Sequence, residues 1–333
     1  MTVPKTRIGL IGTSLEAQPT LQLLLASDLV ELAVVVTNPA RPGEPSDLVG
    51  PACAAGVPVV LAHDVNEGHI VSAINAMSVD LLVAVGWNSL IGPDLLAVPA
   101  GGCVGFHASM LPLNRGHAPV NWAILRGESA TGNTMMLLDA GVDTGDIIAQ
   151  RTIPIGPDDT CGTIYRQVAR TGADMLSDHL PRLLDGTVQR RPQPRAASGR
   201  PLARRTPDMG IIDWDRSPRA THDWVRALTV PYPGAFTRLN DRPVMIWATR
   251  CPGVVEPPGS PGELLRHEQD GIRVGTHDGS VVVTRMSDPG ERPVAADLWC
   301  RRSHVAPGTR FDFVSAELSR WARGESVHPA MSA

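Results

Sequence analysis

Apolar residues in this chain fall into two rhythms. Short runs rich in Val, Ile and Leu, at residues 7–12, 30–37, 57–61, 80–85 and 103–106, alternate with stretches at 16–26, 66–77 and 93–98 where apolar positions recur at helical spacing. A buried parallel strand reads as a continuous apolar run because both its faces are covered, whereas a helix laid on the sheet needs only one apolar stripe. The alternation predicts an α/β domain: a mostly parallel, doubly wound sheet with helices on both faces. A strand at 151–155 and a long amphipathic helix over 160–184, carrying Ile164, Val168, Met175, Leu176, Leu180 and Leu183, close it.

Past this helix the rhythm stops. Residues 190–205 are dense in Arg and rich in Pro, Ala, Ser and Gly, the composition of a solvated linker. A Ser217-Pro218 cap then starts a helix running to about residue 229, since Ser accepts from the first turn and Pro suits its first position. Short strands at 244–248, 272–276 and 281–285, broken by Pro/Gly turns, predict a small β-rich second domain. The expected organisation is a first domain at 1–189, a linker at 190–208, a second domain at 209–325 and a tail at 326–333.

Composition narrows the class. At 333 residues the chain has room for two domains, and 43% hydrophobic with 19% charged residues is ordinary globular usage. No apolar run approaches the roughly 20 residues of a membrane span. The start of the chain has no charged leader, apolar stretch and cleavage site in that order, so a cytoplasmic location is expected. Cys53, Cys103, Cys161, Cys251 and Cys300 are scattered singly, the pattern of free thiols rather than of a zinc or redox site. A net charge of −4 exerts no global pull on nucleic acid, and Lys5 is the only lysine. Assembly is left open, a homodimer included.

In such sheets ligands bind outside the carboxyl ends of the strands, which brings Gly12 to Ser14, Gly86 to Ser89 and His107 to Ser109 to one crevice. The first of these loops, Gly12-Thr13-Ser14-Leu15-Glu16, lacks the three-glycine spacing of a dinucleotide fingerprint. His107, at the end of a strand, can shuttle a proton near neutral pH. Asp143 lies in a Gly-Val-Asp-Thr-Gly turn whose glycines, Gly141 and Gly145, let backbone and carboxylate approach a ligand. Spacing alone leaves a structural histidine open as the alternative.

His107 with Ser109-Met110-Leu111-Pro112 and Arg115-Gly116, the turn 141–145, Gly210-Ile211-Ile212-Asp213-Trp214, and Pro231-Tyr232-Pro233-Gly234-Ala235 together resemble the 10-formyltetrahydrofolate-dependent formyltransferases. That family acts on methionyl-tRNA, glycinamide ribonucleotide and amino sugars. The resemblance implies a folate-binding catalytic first domain and a small oligonucleotide-binding-like second domain. It implies 10-formyltetrahydrofolate as co-substrate and no metal. His107 resembles the general acid/base and Asp143 the carboxylate that tunes it and relays protons through water. Trp87, Asn88 and Ser89 resemble the loop lining the pterin pocket, with the backbone of Asp139, Ala140, Gly141, Val142 and Asp143. Ser109, Met110, Leu111, Pro112 and His117 resemble positions along the folate body, with a structural turn as the alternative for the first four.

One position departs from the pattern. The family reads Asn-x-His, its asparagine amide holding the formyl oxygen as charge develops, and here Gly105 stands in that place. Loss of one such donor costs about 2.7–4 kcal/mol. Asn88 or Asn133 could supply the amide, a water or backbone N–H could replace it, or the parent reaction has been lost, leaving a 10-formyltetrahydrofolate hydrolase or a non-catalytic folate-binding protein.

The acceptor divides the family. Phosphate-backbone recognition needs clustered Lys and Arg, whereas residues 37–49 hold Arg41 alone beside Glu44 and Asp47. Pro119-Val120-Asn121-Trp122 and Thr131-Gly132-Asn133-Thr134 resemble the amino-sugar branch. The expected partner is therefore a small-molecule amine, an amino sugar or an amino acid such as hydroxyornithine, used in small-molecule biosynthesis or glycan assembly. Nucleic acid is not expected, and methionyl-tRNA is the alternative. Trp224, Tyr232 and Trp247 are read as core residues, with a stacking platform for a sugar or nucleotide as the other reading.

Overall fold

The computed structural model describes residues 5–39, 48–194, 201–252 and 259–328. The chain divides into two units. The first takes in Met1–Pro119, Ala130–Pro154 and Ile164–Leu202, and the second Val120–Ser129, Ile155–Thr163 and Ala203–Ala333. The chain thus passes between units several times, where the sequence suggested a single crossing at the linker.

The first unit is built on seven strands: β1 (Thr6–Gly12), β2 (Val30–Thr37), β3 (Val59–Leu61), β4 (Leu81–Val85), β5 (Cys103–His107), β6 (Ala130–Leu137) and β7 (Ile147–Pro154). Their order is β3-β2-β1-β4-β5-β6-β7, parallel through β5 and antiparallel at β6 and β7. Helices α1 (Ser14–Ala26), α2 (Val49–Ala54), α3 (Gly68–Ala76) and α4 (Pro93–Leu96) connect the parallel strands; α6 (Cys161–Leu184) follows β7. Alternate strand residues feed two cores. Ile8, Leu10, Val83, Val104 and Met135 pack with Leu21 and Leu24 of α1 and Met175, Leu176 and Leu180 of α6. Ile11, Val34, Leu82, Ala84 and Cys103 pack with Ile70, Ile74 and Leu95 of α3 and α4. The apolar runs are continuous because each strand supplies both cores.

Strand β6 has no counterpart among the expected elements. Its polar residues Thr131, Asn133 and Thr134 mask a buried strand. Their donors are bonded internally: Thr131 Oγ1 donates to the Ala108 carbonyl, Thr134 Oγ1 to that of Ser109, and Asn133 Nδ2 to that of Val168, while Asn133 Oδ1 stays buried without a partner. A buried polar group is tolerated when it is hydrogen-bonded, so the polarity that hid the strand braces the loop after β5.

The 190–208 segment is more than a solvated linker. Arg191 bridges to Ile147 and Leu202 to Gly116, both within the first unit. The 195–200 part lies outside the described residues.

In the second unit, α5 (Pro119–Leu125) contributes from residue 120 onward, and α7 (Pro218–Leu228) begins as expected, with the Ser217 side chain accepting from Ala220 N–H. Strands β8 (Ala235–Leu239), β9 (Arg242–Arg250), β10 (Leu264–Glu268), β11 (Gly271–Thr276), β12 (Gly279–Ser287) and β13 (Val294–Ala295) pair antiparallel in the order β10-β11-β12-β9-β8, with β13 on β12. Helices α8 (Ala296–Arg302) and α9 (Ala316–Ala322) follow. Trp224 is buried, donates its indole N–H to the Gly210 carbonyl, and has Arg205 and Arg216 over its ring. It is a core residue whose face is already taken. Trp247 donates to Ser287 Oγ. The described cysteines are free, and among the described residues no helix is long and apolar enough to cross a membrane.

Candidate active site

Strand β5 delivers His107 at its carboxyl end, 8% exposed. The ring Nε2 lies 2.8 Å from the Asn114 carbonyl oxygen. A carbonyl can only accept, so Nε2 carries the proton and the lone pair of the neutral ring sits on Nδ1. That Nδ1 faces Asp143 Oδ1 across 3.4 Å. Two acceptors face each other there, an arrangement that one proton, direct or on a water, turns into a charge-assisted hydrogen bond.

Asp143 is held by two hydrogen bonds. Its Oδ2 accepts the Gly116 N–H at 2.8 Å, and its carbonyl accepts from Gln193 Nε2 at 3.0 Å. Its φ of 53° places it in the left-handed region, which aspartate tolerates better than most residues. The turn around it depends on glycine. A Cβ at Gly141 would strike the Thr144 side chain, and one at Gly145 the Leu137 carbonyl. Asp139 Oδ1 ties the turn together by accepting from Gly141 N–H and Thr144 Oγ1.

Gln193 escaped the sequence reading, because it falls in the stretch whose composition suggested a linker. Its Nε2 also donates to the Gly145 carbonyl at 2.7 Å, and its Oε1 accepts from Arg115 Nη2 at 2.7 Å. It thereby ties the loop bearing Arg115 to the loop bearing Asp143. Nothing in its sequence neighbourhood signals this.

Among the residues expected along the folate body, Ser109 is buried and its hydroxyl donates to the Leu113 carbonyl, the bond of a structural turn. Leu111 is buried in a small cluster with Met136 and Ile147. Met110 and Pro112 are half-buried, and His117 is exposed, its N–H donating to the Leu202 carbonyl. Trp87, Asn88 and Ser89 follow β4, Asn88 and Ser89 exposed. Trp87 packs against the α3/α4 core, and its Nε1 is buried without a hydrogen-bond partner. Asp139, Ala140, Gly141 and Val142 form an exposed turn.

Two expectations about the missing amide change. Gly105 pairs with Met136 and His107 with Thr134, so these side chains share one sheet face. Asn133 is one residue off this set and points to the other face, where Nδ2 bonds α6. Asn133 therefore cannot stand in for an asparagine beside His107. At Gly105 the space is filled: an added Cβ would lie 2.5 Å from Leu138 Cδ2 and 2.8 Å from its Cγ.

Residues 7–180 match the model of the family described as formyl transferase, and residues 204–304 match the formyl transferase C-terminal domain. The chain belongs to the formyl transferase family. Among its relatives, the methionyl-tRNA formyltransferase of Geobacter sulfurreducens is 34% identical over 311 residues, covering 91% of this chain and 96% of that one. The methionyl-tRNA formyltransferase of Acetivibrio thermocellus is 35% identical over 309 residues, covering 91% and 98%. Solved structures share the fold at lower identity. HypX from Aquifex aeolicus in complex with tetrahydrofolic acid aligns with a TM-score of 0.62 at 21% identity, over 87% of this chain and 46% of that one. WlaRD, a sugar 3N-formyl transferase, aligns with a TM-score of 0.62 at 18% identity, over 85% and 98%.

Proposed function

We propose that this protein transfers the formyl group of 10-formyltetrahydrofolate to a primary amine, and that the amine is the one carried by methionyl-tRNA. The observation that carries the transfer reading is the His107–Asp143 couple at the end of β5 in a chain of this family. Support for the acceptor comes from relatives named for methionyl-tRNA and matched over nearly their full length, C-terminal domain included. This reverses the small-molecule acceptor expected from the poorly basic 37–49 segment, of which residues 40–47 lie outside the described residues.

The chain's groups fit a folate. The orphaned Trp87 Nε1 is a donor without an acceptor among the described residues, and the 139–142 turn is exposed and open to a ligand. When bound, the folate supplies the formyl carbon and departs as tetrahydrofolate. His107 moves the proton between attacking and departing nitrogens, and Asp143, fixed by Gly116 and Gln193, holds it in between. With Leu138 filling the space beside Gly105 and Asn133 turned to the other face, Asn88 in the loop after β4 is the candidate asparagine that stays open for the formyl oxygen.

A second reading keeps a small-molecule amine, an amino sugar or hydroxyornithine. The apolar Gly105–Leu138 pair favours it, because it departs from the pattern of the parent reaction. Tetrahydrofolate release, measured with methionyl-tRNA, a nucleotide-linked amino sugar and hydroxyornithine and with product masses, separates the readings. Release without any amine identifies a hydrolase. Absence of both release and folate binding overturns the folate reading as a whole.

A further inference from the structure

We propose that Glu16 receives the acceptor amine: its carboxylate binds the incoming ammonium and removes one of its protons. The inference rests on the amine-transfer reading above and adds the residue that prepares the nucleophile.

The sheet order reverses direction between β1 and β4, since β1 is followed by β2 on one side and flanked by β4 on the other. Such a switch point opens a crevice at the carboxyl ends of the strands. Gly12 pairs with Val85 and Ala84 with Gly105. Continuing those registers puts Thr13, Gly86 and His107 in a row, with neighbouring strands about 4.8 Å apart and His107 about 10 Å from the end of β1. Thr13 fastens the near side of the row, its N–H and Oγ1 donating to the Val85 and Gly86 carbonyls.

Glu16 stands in the first turn of α1, directly over Gly86. Its Cβ and Cδ lie 3.1 and 3.5 Å from where a Gly86 side chain would begin. Gly86 thus separates Glu16 on one side from His107 on the other. The Glu16 carboxylate is half-buried and makes no hydrogen bond or ion pair with any described residue. Removing a carboxylate from water without a partner is costly, and the complement this one lacks is a group with several N–H donors.

An ammonium is that complement, and it cannot attack a formyl carbon until its nitrogen has a lone pair. At Glu16 an N–H bond of the ammonium breaks, the electron pair stays on nitrogen, and an O–H bond forms on the carboxylate. The proton leaves to solvent once the product has gone, restoring the carboxylate. Burial pushes the Glu16 carboxyl up to about 7, near the operating range where a general base works best.

The test compares wild type with Glu16→Gln and Glu16→Asp, using the three acceptors above and 5-formyltetrahydrofolate as a binding probe. For the acceptor that wild type formylates, Glu16→Gln is expected to raise the amine Kd in the absence of folate roughly 10- to 100-fold. Its kcat/KM is expected to fall by ~10² or more, with partial recovery in Glu16→Asp and an unchanged Kd for 5-formyltetrahydrofolate. Unchanged amine binding and turnover in Glu16→Gln overturns the assignment while leaving formyl transfer standing. Loss of 5-formyltetrahydrofolate binding in that variant also overturns it, by placing Glu16 on the folate side. If wild type formylates none of the three, the assignment falls together with the reading beneath it.

Discussion

Leu138 occupies the space beside Gly105, with its Cδ2 2.5 Å and its Cγ 2.8 Å from where a Cβ at 105 would stand. The two residues are therefore coupled, and an asparagine fits at 105 only if the Leu138 side chain turns away. Gly105→Asn alone is expected to destabilise the fold by about 1–3 kcal/mol, the usual cost of overpacking a filled site. Gly105→Asn with Leu138→Ala should recover most of that stability and raise formyl-transfer turnover, by up to ~10². Thermal unfolding and single-turnover rates check both. A double variant that folds well and is no faster shows that the chain has replaced the amide rather than lost it.

The Asp143 carboxylate has two jobs that one substitution divides. In Asp143→Asn the side-chain oxygen can still accept the Gly116 N–H, so the turn should hold. The amide can donate to the His107 Nδ1 lone pair but cannot take up a proton. Turnover should fall by roughly 10²–10⁴ while the unfolding temperature stays near that of wild type. A rate within tenfold of wild type would remove Asp143 from proton handling.

How far the sequence reveals this site follows from where its information is stored. His107 and Asp143 announce themselves, one at the end of an apolar strand and the other between turn glycines whose backbone needs are local. The parallel half of the sheet is equally plain, because strands buried on both faces must be apolar throughout. Strand β6 is hidden by Thr131, Asn133 and Thr134, whose partners Ala108, Val168 and Ser109 are at least 23 residues away. Asn133 misleads for the related reason that its face depends on strand register, and a shift of one residue reverses it. Gln193 is illegible because its three partners are supplied entirely by tertiary structure, and the residues around it look like a tether.

Gln193 should accordingly act on the site without touching substrate. Gln193→Ala leaves the Asp143 and Gly145 carbonyls and Arg115 Nη2 without this partner. A loss of about 1–3 kcal/mol in stability is expected from the unmade bonds. Because the Asp143 turn loosens, kcat should fall several-fold more than the KM for the amine changes. An effect confined to stability, with kcat per folded molecule unchanged, would make Gln193 purely structural.

Glu16 makes a stability prediction that is independent of any substrate. Burial raises its carboxyl from 4.5 to about 7 in the folded chain, with no charged neighbour among the causes. A group whose folded value is raised gives its full contribution below the unfolded value and loses it as pH climbs through the folded value. The fold should therefore weaken between about 4.5 and about 7 on account of this residue and change no further above that. The whole shift corresponds to at most about 3 kcal/mol, and the exposed part of the side chain brings the cost below that ceiling. Glu16→Gln removes the ionisation but keeps the shape. Its unfolding temperature should exceed that of wild type at about pH 8 and match it at about pH 4, below both values. An equal difference at the two pH values would assign the effect to packing and leave the carboxylate comfortably solvated.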